Sequence, residues 1–231
     1  MSNKSCVAIA KLRRRLQRIP NTDIIYFDET HLRVGEAPRD TLVAPGESQY
    51  LVVDDNNRYA PRYDMICFVY GGGVFPAIVY TPKDRKRLKV NGITKKMLND
   101  YILNQLSVHV GAKDHYPWYI VCDKSNIHNA AEIKESFEDG MVHEIKEVIF
   151  LPTQAAKRMS PLDNGIFGIW KQRCRNHGKI AKANIVSIMI QEWEKISVDE
   201  IQSAYRHCGL TSSRDPYFDC PDPSSHTHTK E

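Results

Sequence analysis

The chain lacks the features that would place it outside ordinary globular proteins. No apolar run approaches the length of a membrane span, about 18 residues or more, so no membrane partner is expected. Six cysteines stand at 6, 67, 122, 174, 208 and 220 with no CxxC pair and no regular framework. They read as reduced thiols rather than as disulfides or a zinc knuckle. The stretch up to Pro20 has only "CVAIA" before "KLRRRLQR", too short for the apolar core of a secretion signal. Repeats are absent too.

Acidic residues are missing where basic ones gather. Residues 1–20 carry six Lys/Arg and no acid, 83–96 carry seven against one, and 157–182 carry seven against one, Asp163. The net charge is only +4, but this segregation suits a polyanion partner better than the total implies. The competing reading of each run is the solvated face of an ordinary helix. With 42% hydrophobic residues among 231, there is enough apolar material for a sizeable core.

Strand patterns occur at 23–29, 65–70, 75–81, 118–122 and 147–152; the second and third, joined by Gly71–Gly73, read as a hairpin. Helical periodicity runs through 94–110, 129–140, 160–176, 180–194 and 197–210. Residues 30–62 read as a loop or short flap. The expected organisation is a basic lead-in helix (1–22), one α/β domain (23–210) and a disordered tail (211–231).

Three acids fall where strands end or helices begin: Asp28 in "DIIYFDE", Asp123 closing "WYIVC", and Asp163 in "SPLDNG". Carboxylates on separate rigid elements could hold two hard divalent cations about 3.5–4 Å apart, the arrangement that cuts phosphodiesters. Each also has a quieter explanation. Asp28 could bond loop backbone, Asp123 could make an Asx turn, and Asp163 follows Ser160 as a capping box does. Spacing alone leaves these open.

Taken together, "IIYFDET", "YIVCDKSNIH" and "IFLPTQAAKRMSPLDNGIFGIWKQ" resemble the catalytic core of mariner-superfamily transposases, nearest to the pogo branch with its centromere protein B relatives. "WEKISVDEIQSAYRHCGL" is similar to that branch's closing segment. The likeness spans about residues 20–210, and the interval from Asp123 to Asp163 falls within the span such enzymes show. It implies an RNase H-like fold, with a mixed central sheet, an antiparallel opening hairpin and flanking helices. It further implies a catalytic Asp28–Asp123–Asp163 triad holding two Mg²⁺ (or Mn²⁺) ions, and cleavage and strand transfer of DNA in the nucleus. Lys124, His128, Lys157, Arg158 and Lys171 are the candidate DNA contacts, and a homodimer or a separate DNA-binding domain is the expected protein partner.

Two departures from the family pattern matter. Lys124 stands where the family has Asn. Only a short basic segment precedes the first strand, where family members carry helix-turn-helix domains. An isolated catalytic domain, a truncated element or a domesticated remnant is therefore expected. The alternative function is a catalytically inactive nucleic-acid binder of the same fold; a weaker one is a nuclease acting on RNA–DNA hybrids.

Overall fold

The computed structural model describes residues 3–35, 60–112, 117–152, 155–178 and 180–212. Most of the expected flap (36–59) and the tail from 213 onward lie outside the described residues.

After helix α1 (Asn3–Leu16), strand β1 (Ile24–Arg33) enters the centre of a mixed sheet. Antiparallel β2 (Arg62–Tyr70) lies on one side of it. Two short strands, β3 (Gly73–Val74) and β4 (Ile78–Tyr80), both pair with the outer edge of β2. On the other side of β1 lie β5 (Trp118–Asp123) and then β6 (Ile145–Leu151), both parallel to their neighbours. Among the described residues the sheet has six strands, ordered β3-β2-β1-β5-β6 with β4 beside β2.

Strand alternation sends side chains to two separate cores. Tyr26, Met65, Cys67, Val69 and Val121 point to one face, where they meet α1, α6 (Ala156–Met159), α7 (Phe167–Asn176), α8 (Ile185–Glu194) and α9 (Val198–His207). Ile25, Phe27, Ile66, Phe68 and Ile120 point to the other. There they meet α3 (Lys95–Tyr101), its continuation α4 (Ser107–Gly111) and α5 (Ala130–Asp139). The lead-in helix is no free arm, since Ile9 and Leu16 are buried in the first core.

Local chemistry accounts for the helix starts. The Asn129 side chain accepts from Ala131 N–H (3.0 Å) and Glu132 N–H (3.2 Å), opening α5. Ser197 and Glu200 form a reciprocal capping box on α9, whose Ile201, Ala204 and Tyr205 are buried at helical spacing.

Two helices differ from the sequence reading. Residues 94–110 form α3 and α4 with a π turn between them at Ile102–Leu106. Residues 160–176 are not one helix either. A π turn at Leu162–Ile166 precedes α7, and its backbone leaves the helical region at Asn164 and Gly165. The turn packs against α9. A Cβ on Gly165 would stand 3.1 Å from the Cβ of Ala204, a contact that leaves almost no room for a side chain.

A helix the sequence reading omits, α2 (Pro82–Leu88), is opened by a Thr81–Asp84 capping box. Its Arg85 donates to the carboxylate of buried Asp64 and to the carbonyl of Arg62 (2.7 Å).

A candidate carboxylate centre at the sheet

β1 and β5 are paired from Ile24–Tyr119 to Tyr26–Val121. The pairing ends there, and Asp28 and Asp123 each lie two residues beyond the last pair on these adjacent parallel strands. Asp28 and Asp123 share the parity of Tyr26 and Val121, which enter the core on the face covered by α7 and α9, while Asp123 Oδ1 turns to His128. The π turn carrying Asp163 packs against β1 on that face. The Ser160 hydroxyl accepts from Asp163 N–H (3.3 Å), which is the Ser half of the expected capping arrangement.

Electrostatics ties the three acids together. The Asp28 carboxyl is pushed up to about 8, first by burial and then by the charges of Glu29, Asp163 and Asp123. The Glu29 N–H, donating to Asp28 Oδ1 at 2.7 Å, pulls the other way. Asp123 is half-buried, and its Oδ1 is wholly buried with no aligned hydrogen-bond donor. Carboxylate oxygens brought together from separate strands are the donor type a hard cation takes. As the side chains stand, no group of three or more His, Cys, Asp or Glu among the described residues is arranged to hold a metal ion.

His128 connects the two strand acids. Its side chain is 0% exposed, with Nε2 3.0 Å from Glu29 Oε1. Nδ1 lies 2.8 Å from Asp123 Oδ1 and 3.0 Å from the Asp123 carbonyl. Nδ1 thus faces two acceptors, and Asp123 Oδ1 is engaged by the ring as an ion-pair contact rather than a well-aligned hydrogen bond. Burial works against charge on the ring, but Asp123, Cys122 and Glu29 outweigh it and push His128 up to about 12. The ring also meets Phe27 edge to face at 4.8 Å.

The five expected DNA contacts separate. Lys124 and Arg158 are exposed. Lys171, half-buried on α7, acts electrostatically on His31 and on Cys67, the β2 partner of Asp28. Lys157 belongs to α6, and its side chain lies outside the described residues. His128 is the exception: enclosed as it is, it cannot touch a backbone phosphate, and its position makes it a brace between strands. Glu29, which the sequence reading takes only as part of the first motif, is the brace's other end. Its place directly after Asp28 is the one signal that could have marked it. A groove of about 570 Å³ bordered by Lys11, Arg14, Arg15 and Arg18 runs along α1 and includes none of the three acids.

No family model and no curated protein matches the chain. Solved structures do. The Mos1 strand transfer complex superposes with a TM-score of 0.60 at 13% identity, covering 90% of this chain and 56% of that one. The Mos1 mariner paired-end complex with Mn gives 0.61 at 13% identity, covering 90% and 57%. The Mos1 transposase catalytic domain with raltegravir and Mn gives 0.55 at 12% identity, covering 89% and 84%. The chain thus spans less than two thirds of the transposase in its complexes. At such identities the likeness is one of fold: an RNase H-like α/β fold shared with a mariner transposase catalytic domain.

Proposed function

We propose that the chain is a metal-dependent DNA endonuclease and strand-transferase core of transposase type, of the pogo branch, working in the nucleus with Asp28, Asp123 and Asp163 as its carboxylates. The observation that carries this is that Asp28 and Asp123 each lie two residues beyond the last β1–β5 pair, together with the charge that Asp163 and Asp123 impose on Asp28. The motifs, the fold and the donor chemistry of the three acids support the same reading.

Asp28, Asp123 and Asp163 would hold two Mg²⁺ or Mn²⁺ ions, which when bound supply activation of the attacking oxygen and stabilisation of the leaving one. The protein's own part is placement. Glu29 N–H orients the Asp28 carboxylate at 2.7 Å, and β5 brings Asp123 to the strand end. The turn that carries the exposed Asp163 packs against β1. Lys171, Lys124 and Arg158 are cations for the DNA phosphates, and Lys157 stands in the same segment. A homodimer or a separate DNA-binding domain would supply sequence recognition, since phosphate contacts carry none directly.

A second reading is an inactive DNA binder of the same fold. Exposed Lys124 favours it, because a cation next to Asp123 repels a metal ion at that carboxylate. Nicking of supercoiled plasmid in Mg²⁺ or Mn²⁺ separates the two. The catalytic reading expects nicking by the wild type and none by Asp28→Asn, Asp123→Asn or Asp163→Asn, all still folded. Wild-type protein that binds plasmid without nicking it in either metal would leave the binder reading standing.

A further inference from the structure

Paired β1 and β5 stop at Tyr26–Val121, two residues short of the acids they carry. Beyond that point the link between the strands is a side chain. Glu29 is linked to both aspartates, to Asp28 directly and to Asp123 through His128. Its main-chain N–H donates to Asp28 Oδ1, and its side chain meets His128, whose other nitrogen meets the carbonyl and carboxylate of Asp123. The His128 ring is closed off from solvent, packs edge to face on Phe27 and also has the Cys122 side chain beside it. A strand-end aspartate is otherwise free to rotate about χ1, and a site built from separate strands works only if that rotation is stopped.

We propose that Glu29 and His128 are positioning residues for the metal-binding form of Asp123: the Glu29–His128 brace fixes the Asp123 main chain and carboxylate against Asp28, and so sets the affinity for the divalent ions. This rests on the metal-dependent reading above. Buried partners that orient a ligand in this way typically change metal affinity about 10–100-fold when removed.

The test is calorimetric titration of Mn²⁺ into the metal-free protein, with folding checked by circular dichroism. His128→Phe keeps the ring's contact with Phe27 but loses both ring nitrogens. Glu29→Ala removes the brace from its other end while keeping the main-chain N–H on Asp28. Glu29→Gln keeps an oxygen for Nε2 to meet. The brace predicts that His128→Phe and Glu29→Ala each weaken Mn²⁺ binding about 10–100-fold, while Glu29→Gln stays near wild type. Folded His128→Phe and Glu29→Ala proteins with the wild-type constant would overturn it, as would a Glu29→Gln protein as weak as Glu29→Ala, which would make Glu29 a charge and not a brace. If His128→Phe does not fold, the Glu29 pair decides by the same criterion. A wild type that binds no Mn²⁺ overturns the brace and the metal reading together. Wild-type binding that Asp123→Asn weakens and the brace variants do not overturns the brace alone.

Discussion

Asp28 is a carboxyl whose stability effect runs against the usual direction. Most native carboxylates are paired and lose stability in acid. Asp28 is pushed from 3.8 to about 8 by burial and like charge, so between those values the folded chain holds a proton that the unfolded chain has released. Its contribution is therefore most favourable below about pH 4 and is lost as pH rises towards 8. Metal-free protein should melt at lower temperature at about pH 8 than at about pH 5, and Asp28→Asn should flatten that decline. Added Mn²⁺ should restore the wild type at the upper end, since a bound cation offsets the repulsion. A metal-free wild type whose melting temperature rises over that window would show that the Asp28 charge is not confined as described. For Asp163 the discriminating quantity is size: loss of a cap and dipole interaction alone costs about 0.5–1 kcal/mol and leaves nicking in the folded fraction.

Elements differ in how visible they were in the sequence. β1, β2, β5 and α9 announce themselves by β-branched alternation or helical periodicity, because one face of each enters a core. Helix α2 buries none of its residues, so "PKDRKRL" shows no hydrophobic period. The Thr81–Pro82–Asp84 start was its only local sign. β4 is shorter than "FPAIVYT" suggests, beginning at Ile78 just beyond Pro76, which has no N–H to pair. Motif resemblance marked the three acids, but the brace between two of them was not legible. A Glu and a His 99 residues apart become partners only when the strands are laid side by side.

What fastens α2 is one buried ion group: Asp64, 8% exposed at its side chain, holds Arg85 and also Arg62 Nε at 2.8 Å. Arg85→Ala would leave Asp64 with Arg62 alone. The expected cost is up to about 3–5 kcal/mol, the range for breaking a buried pair, measurable by urea denaturation. A loss below about 1 kcal/mol would mean the pair behaves as a surface one.

Across the whole molecule, the basic runs overstate the charge that faces outward. Arg15 pairs with Glu147, Arg85 with Asp64, Lys95 with Glu132, Lys96 with Asp100 and Arg173 with Glu200. Lys83, Lys86 and Lys89 on and just after α2 remain exposed, as do Lys11, Arg14 and Arg18 on and just after α1. α2 follows β4, whose Tyr80 pairs with Asp64, which in turn faces His31, three residues past Asp28. The last turn of α1 lies instead at the strand starts, where Arg15 meets Glu147. DNA held at the carboxylates should therefore use α2. Replacing Lys83, Lys86 and Lys89 by Gln should lower the slope of log affinity against log salt by about 2–3 on unrelated duplexes alike. Changing Arg14 and Arg18 should do less. An unchanged slope for the α2 variant would remove that helix from the DNA path.

Gly71 closes the turn after β2. Its N–H donates to the Asn21 carbonyl at 2.8 Å, and its own carbonyl accepts from Gln202 Nε2 at 2.6 Å. A Cβ there would meet the Asn21 main chain at 2.7 Å. Close by, the Phe75 carbonyl accepts from Trp193 Nε1 at 2.8 Å. The opening hairpin is thus completed by residues 118 and 131 positions later in the chain. During synthesis these acceptors wait until α8 and α9 have left the ribosome, and contacts this distant make folding slow. Chains ending before α8 should emerge as protease-sensitive species, and the longer chain should lose its two cores in one melting transition, with tryptophan fluorescence and far-ultraviolet dichroism falling together.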